Sequence, residues 1–286
     1  MKITLVRSMS RSAVFELVND SCYRAPAPYT VTLDGAAVCS GDTNVFSLYS
    51  LEPAHTYTLA VTLDGVTDTL TFTTAEESFF VDASRYGLVA DGVTDNTAKL
   101  QAALSTCPAG GTVYLPAGTY RTQSLFLQSN TTLYLEKGCT LLGGTDRRDY
   151  PILPGVLPCH NEKDEQYLAL WEGNPLDSFA ALINVINAEN VTITGEGTLD
   201  CNAQNGDWYQ NPKQKKIAWR PRLFFTSGAK NVVLHGVLAC NSYSWTIHPT
   251  YSENVDILNI RIRNSSQSPN TDGIDPESCE YIRIIG

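Results

Sequence analysis

Short stretches of alternating apolar and polar residues fill the first quarter of the chain. Runs of this kind, typical of strands with one buried face, are Lys2–Arg7, Ala13–Val18, Tyr29–Leu33, Val45–Leu48, Tyr57–Leu63 and Thr67–Thr73. Turn residues separate them at Asp34-Gly35, Ser40-Gly41-Asp42 and Asp64-Gly65. We therefore predict a small β-sandwich over residues 1–76.

One segment of this region has a more specific pattern. Leu51-x-Pro53-x-x-x-Tyr57 resembles the tyrosine-corner stretch of fibronectin type III domains. The predicted sandwich is therefore fibronectin type III-like, and its simplest role is that of a spacer.

A helical pattern follows the linker at Glu76-Glu77-Ser78. Ala98, Ala102 and Leu104 fall at roughly helical spacing, with Thr94 or Asp95 placed to cap the helix. This predicts a helix over residues 96–106, which Pro108-Ala109-Gly110-Gly111 ends.

The rest of the chain repeats a short motif of Asn, a β-branched residue, any residue and an aliphatic residue. It starts at Asn130, Asn190, Asn231 and Asn254, and Tyr281 takes the Asn place in a last copy. The spacings of 60, 41, 23 and 27 residues suit a solenoid whose longer coils hold insertions. We predict an all-β parallel β-helix over residues 77–286, with an internal Asn ladder and the helix covering its first end.

Charge and hydropathy argue against several classes of partner and against a membrane span. Thirty acidic and twenty basic residues give a net charge of −10, which argues against nucleic-acid and anionic-membrane partners. No apolar stretch approaches the roughly 18 residues of a membrane span. The chain starts with Met and has no signal-peptide pattern, so we expect a cytoplasmic protein, or a secreted one if the true N-terminus differs.

Eight cysteines lack the spacing of a zinc site or a disulfide framework. They are Cys22, Cys39, Cys107, Cys139, Cys159, Cys201, Cys240 and Cys279. We expect buried small hydrophobes, no metal and no cofactor.

Three segments, Asp82–Thr97, Ser242–Pro249 and Asn270–Asp275, carry a family resemblance. Together they resemble glycoside hydrolase family 28, the polygalacturonases and related pectin hydrolases, over about residues 79–286. The resemblance implies a right-handed parallel β-helix that hydrolyses α-1,4-linked galacturonic acid in pectin with inversion. Bacterial relatives with an N-terminal fibronectin-like domain agree with the two-domain prediction.

The resemblance also implies residue roles. Asp272 matches the family aspartate that helps to activate the attacking water, and Asn270 holds its surroundings. The family's Gly-Asp-Asp, Gly-His-Gly and Arg-x-Lys segments do not occur, so we expect a C-terminally truncated member that lacks its general acid. Asp275 is not expected to replace that acid, because residues three apart on a strand point to opposite faces, and Glu277 is no better placed.

A basic stretch with interleaved aromatic residues precedes the last coils. Its members are Lys213, Lys215, Lys216, Arg220 and Arg222, with Trp208, Tyr209 and Trp219 among them. Cations pair with uronate carboxylates and rings stack on sugars, so we predict substrate contacts from Arg220, Arg222, Trp245 and His248, besides Asn270. A solvated loop and a structural histidine are equally open alternatives.

Three functions are therefore open. The first is a polygalacturonase-like hydrolase impaired by the missing acid, and the second is a non-catalytic pectin-binding solenoid. The weakest is a pectate lyase-like enzyme, because no carboxylate cluster for Ca²⁺ is evident. The expected partner is a pectic poly- or oligosaccharide, and an open C-terminal end with Ile282, Ile284 and Ile285 predicts self-association.

Overall fold

The computed structural model describes residues 2–21, 23–158 and 166–286. Its first unit contains β1 (Lys2–Ser8), β2 (Ala13–Val18), β3 (Arg24–Leu33), β4 (Ala36–Thr43), β5 (Val45–Leu48), β6 (Thr56–Leu63) and β7 (Val66–Thr73). These strands form two antiparallel sheets in the orders β1-β2-β5 and β4-β3-β6-β7. Alternate residues such as Phe15, Val31 and Leu59 face inward and build a core of their own.

Two details of this unit bear on its prediction. Tyr57 accepts a hydrogen bond from the Glu52 backbone N–H at 2.9 Å, the contact expected of a tyrosine corner. The fibronectin type III assignment itself stays a prediction. The expected turn at residues 40–42 is wrong, because these residues lie in β4, whose mostly exposed residues show no apolar alternation. Gly41 suits that position, since an added Cβ would lie 2.7 Å from the Tyr29 hydroxyl.

The second unit starts with elements that surround one helix. They are β8 (Phe80–Asp82), a 3₁₀ turn (Ala83–Tyr86), β9 (Asp91–Asp95), α1 (Thr97–Thr106), β10 (Gly111–Leu115), β11 (Gly118–Thr122), β12 (Leu125–Phe126), β13 (Thr131–Leu135) and β14 (Cys139–Gly143).

An insertion then interrupts the repeat. It holds a 3₁₀ turn (Arg147–Asp149) and the two-residue strands β15 (Ile152–Leu153), β16 (Val156–Leu157), β17 (Gln166–Tyr167), β18 (Leu170–Trp171), β19 (Asn174–Pro175) and β20 (Ser178–Phe179). These strands pair antiparallel with one another. The insertion explains the longest repeat spacing.

The remaining coils are regular apart from their loops. They contain β21 (Ile183–Ile186), β22 (Glu189–Gly195), β23 (Thr198–Asp200), a 3₁₀ turn (Ala203–Asn205), β24 (Phe224–Ser227), β25 (Lys230–His235), β26 (Leu238–Cys240), β27 (Ile247–Thr250), β28 (Glu253–Leu258), β29 (Arg261–Arg263) and β30 (Glu280–Ile285).

Each coil contributes strands to parallel sheets. The first sheet has the order β8-β10-β13-β22-β25-β28-β30, the second β9-β11-β14-β23-β26-β29 and the third β12-β21-β24-β27. Every pairing within these sheets is parallel. Aliphatic residues from all three sheets share one continuous core. The predicted all-β fold, a right-handed parallel β-helix, is confirmed.

Helix α1 lies at the start of the solenoid. Leu100 and Leu104 of the helix are buried in the solenoid core, as expected of a helix that covers the first coil. Asp95, one of the two predicted caps, accepts a hydrogen bond from the Thr97 N–H at 2.9 Å. Thr94 instead donates its hydroxyl to Asp91.

The recurring asparagines form a ladder, but on the surface. Asn190 donates to Asn130 at 2.9 Å, Asn231 to Asn190 at 3.0 Å and Asn254 to Asn231 at 3.3 Å. Their φ angles lie between +53° and +60°, and Tyr281 follows with +55°. The left-handed conformation, which Asn tolerates better than most residues, selects the residue type at this turn. The expectation of an internal ladder is therefore wrong.

The two units share a buried interface. Met9 and Val14 pack against Val233 and Leu258. His235, fully buried, lies 2.9 Å from the Ser47 hydroxyl through Nε2 and 2.7 Å from Thr194 through Nδ1. Apolar packing and hydrogen bonds therefore attach the sandwich to the solenoid.

Candidate active site

The register of the third sheet brings the predicted site residues together. Phe224 pairs with Ile247, and Ile247 forms a parallel bridge with Ile274 in the next coil. Two residues before each of these positions stand Arg222, Trp245 and Asp272. One residue after them stand Phe225, His248 and Asp275. Residues far apart in sequence therefore stack in two adjacent rows. Strand geometry sets the distance between neighbouring coils at roughly 4.7–4.9 Å.

Arg222 is the centre of these rows. It is 4% exposed, and its guanidinium donates to the carbonyls of Leu170 at 2.7 Å and Arg220 at 2.9 Å. Its Cζ also lies 4.7 Å from the Trp171 ring and 4.8 Å from the Trp245 ring. Burial lowers the pKa of Arg222 to about 9, with the Arg220 charge acting in the same direction.

Stacked tryptophans cover this cation. Trp171 stacks on Trp245 with ring centroids 4.9 Å apart, and Trp219 lies 5.8 Å from Trp171. Sequence reasoning missed Trp171, which comes from the insertion. An insertion lies outside the repeat, so the sequence does not show which coil its aromatic residues pack against.

Arg220 anchors the Asn270–Asp272 segment. It is 4% exposed and donates to the carbonyls of Tyr243 and Pro269, both at 2.8 Å, and to Asn270 Oδ1 at 2.6 Å. Burial lowers the pKa of Arg220 to about 10. Asn270 has a φ of +56°, so its bond to Arg220 helps to hold a left-handed residue in place.

His248 is fully buried and has a partner at each ring nitrogen. Arg222 Nε lies 3.2 Å from Nδ1, and Glu277 Oε2 lies 3.1 Å from Nε2. Burial, with the neighbouring Arg222 charge, lowers the pKa of His248 to about 2. The ring is therefore neutral, and its contact with Glu277 is a hydrogen bond rather than an ion pair.

The carboxyl groups of Asp272 and Asp275 influence each other electrostatically. Burial and the Asp272 charge raise the pKa of Asp275 to about 6, against the opposing effect of Arg222. Asp275 Oδ2 is buried and has no hydrogen-bond partner in the described part of the chain. That Asp275 does not replace the missing acid stays a prediction. Glu277 is held by its contact with His248.

Exposure separates the predicted residues into two groups. Asn270 and Asp272 are exposed and Trp245 is partly exposed, whereas Arg220, Arg222 and His248 are buried. The first group is therefore within reach of a ligand. The second group is enclosed by the protein, where Arg220 and Arg222 donate to backbone carbonyls.

The rest of the basic stretch is distributed differently. Lys216 pairs with Asp207 at 3.3 Å, and Lys215 lies 3.7 Å from Asp177. Trp208 is fully buried in the solenoid core, so the idea that it stacks on a sugar is wrong. Its flanking polar residues concealed that burial.

Cysteines and carboxylates form no metal cluster among residues 2–21, 23–158 and 166–286. The described cysteines, at positions 39, 107, 139, 201, 240 and 279, are free thiols. Cys22 and Cys159 lie outside the described residues. No helix in the described ranges has the length and apolar character to cross a membrane.

Comparison with known proteins agrees with this fold. Residues 169–286 match the model of glycosyl hydrolases family 28, and residues 80–139 match that of rhamnogalacturonase A/epimerase, pectate lyase-like proteins. A probable polygalacturonase of Vitis vinifera is 34% identical over 70% of this chain and 40% of its own length. An exo-poly-α-D-galacturonosidase of Dickeya chrysanthemi is 32% identical over 49% of this chain and 23% of its own.

Solved structures give the same result. The family 28 exopolygalacturonase of Yersinia enterocolitica matches 96% of this chain and 60% of its own, with a TM-score of 0.69 at 21% identity, so the likeness is one of fold. The exopolygalacturonase of Thermotoga maritima matches 71% of this chain and 50% of its own, with a TM-score of 0.57 at 31% identity. The chain thus spans less than two thirds of each of these relatives. Its solenoid, over residues 169–286, belongs to glycosyl hydrolases family 28.

Proposed function

We propose that this chain acts on pectin as a polygalacturonase-type glycoside hydrolase that cleaves α-1,4-galacturonic acid linkages with inversion. One observation carries the proposal: buried Arg220 fixes the exposed Asn270–Asp272 segment beside the tryptophan-covered Arg222. The polygalacturonase names of the similar proteins support the substrate class.

The exposed residues act on the substrate. Asp272 takes a proton from the attacking water, as a general base within reach of solvent. Asn270 uses its amide oxygen for Arg220, so its Nδ2 is left to donate to a sugar carboxylate or hydroxyl. The partly exposed Trp245 offers a ring edge to the sugar.

The buried residues act by positioning. Arg220 holds Asn270, and Arg222 holds the Leu170 carbonyl and His248. Their charge still favours an anionic substrate in the groove, because burial in low dielectric weakens screening.

Hydrolysis is slow in this proposal, because it assigns no general acid to partner Asp272 within residues 2–21, 23–158 and 166–286. An inverting pair stands roughly 6.5–9.5 Å apart on the two sides of the scissile bond. Asp275 comes three residues after Asp272 and its Oδ2 is buried, while Glu277 accepts from His248. The proposal therefore gives neither of them the role of the general acid.

The test is incubation with hexagalacturonate and measurement of new reducing ends. We expect slow release of saturated products, reduced by about 10²-fold or more in Asp272→Asn. Asp64→Asn is the matched control, since Asp64 lies in a hairpin turn of the sandwich with a φ of +51° that Asn tolerates. Ultraviolet-absorbing unsaturated ends would overturn the proposal in favour of a lyase. Fast cleavage would contradict the proposal that Asp272 lacks a general acid as its partner.

A second candidate is a non-catalytic pectin-binding solenoid. It rests on Arg220 and Arg222, which both donate hydrogen bonds to backbone carbonyls of the protein. It predicts retention on immobilised pectate with no new reducing ends. Asn270→Gly is the sharper probe here than an arginine variant, because Gly accepts the left-handed φ and removes only the amide. Retention that the variant leaves unchanged would contradict a binding role for Asn270.

A further inference from the structure

The sandwich covers the outer face of the first solenoid sheet. Val233 of β25 and Leu258 of β28 lie beneath it and pack against Met9 and Val14 of the sandwich. This apolar cluster joins few side chains, whereas each unit has a larger core of its own. The contact between the units therefore depends on its polar groups as well as on apolar packing.

His235 is the centre of these polar groups. Its Nδ1 lies 2.7 Å from the Thr194 hydroxyl and 3.4 Å from the Ser12 hydroxyl, and its Nε2 lies 2.9 Å from the Ser47 hydroxyl. The Tyr49 ring stacks on the imidazole, with ring centroids 5.2 Å apart. Three of these four neighbours belong to the sandwich. Separation of the units would therefore expose a fully buried histidine to water.

The packing around Tyr49 is tight. A Cβ added to Gly236 would overlap the Tyr49 hydroxyl and would lie 2.6 Å from the Gly195 carbonyl oxygen. Gly236 also has a φ of +78°, a conformation that favours glycine. Tyr49 therefore closes one side of the imidazole while the units are docked.

No charged group balances a proton on His235. Its ring nitrogens face only hydroxyl groups in the described part of the chain, and burial alone lowers its pKa to about 3. Tyr49 stays neutral, because burial raises its pKa to about 12. The other charged groups near the contact act on different partners, and they are Arg7, Arg11, Glu77, Glu196, Asp256, Arg261 and Arg283.

We propose that this contact is an acid-sensitive joint, in which proton uptake by His235 releases the sandwich from the solenoid while each unit keeps its fold. An imidazolium carries a charge and two N–H donors, which a closed set of hydroxyl groups solvates less well than water does. Protonation therefore costs more in the docked state than in the released state.

The direction of the effect follows from proton binding. In the released state the exposed imidazole titrates near its ordinary pKa of about 6.5, whereas the docked ring titrates near about 3. The released state binds the proton more tightly, so a fall in pH favours it. Between these two values the ratio of released to docked molecules should rise about tenfold for each pH unit of acidification.

The experiment measures how fast a thiol buried at the joint is labelled in the full chain. Val14→Cys places this thiol, because Val14 is fully buried at the contact. Its rate, followed by peptide mass analysis, is divided by the rate of the exposed Cys39, which corrects for the pH dependence of thiol chemistry. Between pH 7 and pH 5 this relative rate should rise about 25-fold. Leu258→Cys, on the solenoid side, should show the same rise.

Two core thiols separate release from unfolding of the units. Val61→Cys makes the same substitution in the sandwich core, and the natural Cys201 is fully buried in the solenoid core. At pH 5 both should be labelled at least about tenfold more slowly than the thiol at position 14. Equal rates at the joint and in the cores would overturn the proposal, since whole units would then unfold.

Substitution of the histidine assigns the effect. His235→Gln does not titrate and should remove the rise at position 14, whereas His55→Gln, at a histidine whose side chain is 47% exposed, should keep it. A faster rate in His235→Gln that does not change with pH still supports the joint. A rise that persists in His235→Gln, or no rise with the natural histidine, would overturn it. Asp272 lies beside β27 of the third sheet, so failure here leaves the proposed function untouched.

Discussion

The Nε–H of Arg222 donates to Nδ1 of His248 at 3.2 Å, and this single contact fixes the state of the histidine. Nδ1 acts as acceptor, so the proton of the neutral ring must lie on Nε2. Nε2 then donates to Glu277 Oε2 at 3.1 Å. A row of hydrogen bonds thus connects Arg222 through His248 to a carboxylate of the next coil.

Removing Arg222 should destabilise the solenoid strongly. Arg222→Ala leaves the Leu170 carbonyl, the Arg220 carbonyl and His248 Nδ1 without their donor. Unsatisfied buried acceptors cost about 1–3 kcal/mol each. We expect a loss of about 3–5 kcal/mol in the free energy of unfolding, measured with urea.

The control for Arg222 is an exposed arginine. Arg24 pairs with Asp42 in the sandwich, and their side chains are 68% and 53% exposed. Arg24→Ala should cost only about 0–1 kcal/mol, as exposed ion pairs do. Similar losses for the two variants would contradict a special role of burial at Arg222.

The fold could be predicted from the sequence, but only part of the candidate site could. The Asn-initiated repeat predicts the parallel coils, because each Asn marks the same left-handed turn. The pairing of Arg222, Trp245 and Asp272 depends on coil register, which loops of different length conceal. Trp171 was missed for the same reason, since its insertion belongs to no repeat. Burial of Arg220 also could not be read from a stretch that looks basic and solvated.

The surface ladder permits a test that separates conformation from hydrogen bonding. Asn190 has a φ of +56° and bonds to both Asn130 and Asn231. Asn190→Gly keeps the conformation and loses the ladder, so we expect a cost of about 1 kcal/mol. Asn190→Ala loses both and should cost about 1–2 kcal/mol more, because a left-handed φ is disfavoured for Ala. Equal unfolding free energies of the two variants in urea would contradict this account.

Stability should fall as the solution becomes acidic. Burial lowers the pKa of His248 to about 2 and of His235 to about 3, whereas an unfolded histidine titrates near about 6.5. The unfolded chain therefore binds more protons below pH of about 6.5, and each histidine costs about 1.4 kcal/mol per pH unit there. Asp275 acts in the opposite direction, because its pKa is raised to about 6, and its contribution to stability is lost as pH rises through that value.

The pH effect can be assigned by substitution. Gln at position 248 retains an acceptor for Arg222 and a donor for Glu277 but does not titrate. Between pH 7 and pH 5, His248→Gln should therefore reduce the loss of unfolding free energy by about 2 kcal/mol. His235→Gln should have a similar effect. Urea unfolding at both pH values checks this, and a wild-type pH dependence in both variants would show that other groups cause it.

The last prediction concerns the contact between the two units. Asp256, 4% exposed, binds Arg7 of the sandwich at 3.0 Å and Arg283 of β30 at 2.6 Å. Asp256→Ala should cost about 2–3 kcal/mol, because charged hydrogen bonds contribute about 1.5–3 kcal/mol. Arg7→Ala should cost about 1 kcal/mol or less, since Arg7 is 41% exposed. If Asp256 is its partner, Arg7→Ala should have almost no further effect in the Asp256→Ala chain. Additive losses in this double-mutant cycle would mean that Arg7 stabilises the interface by another contact.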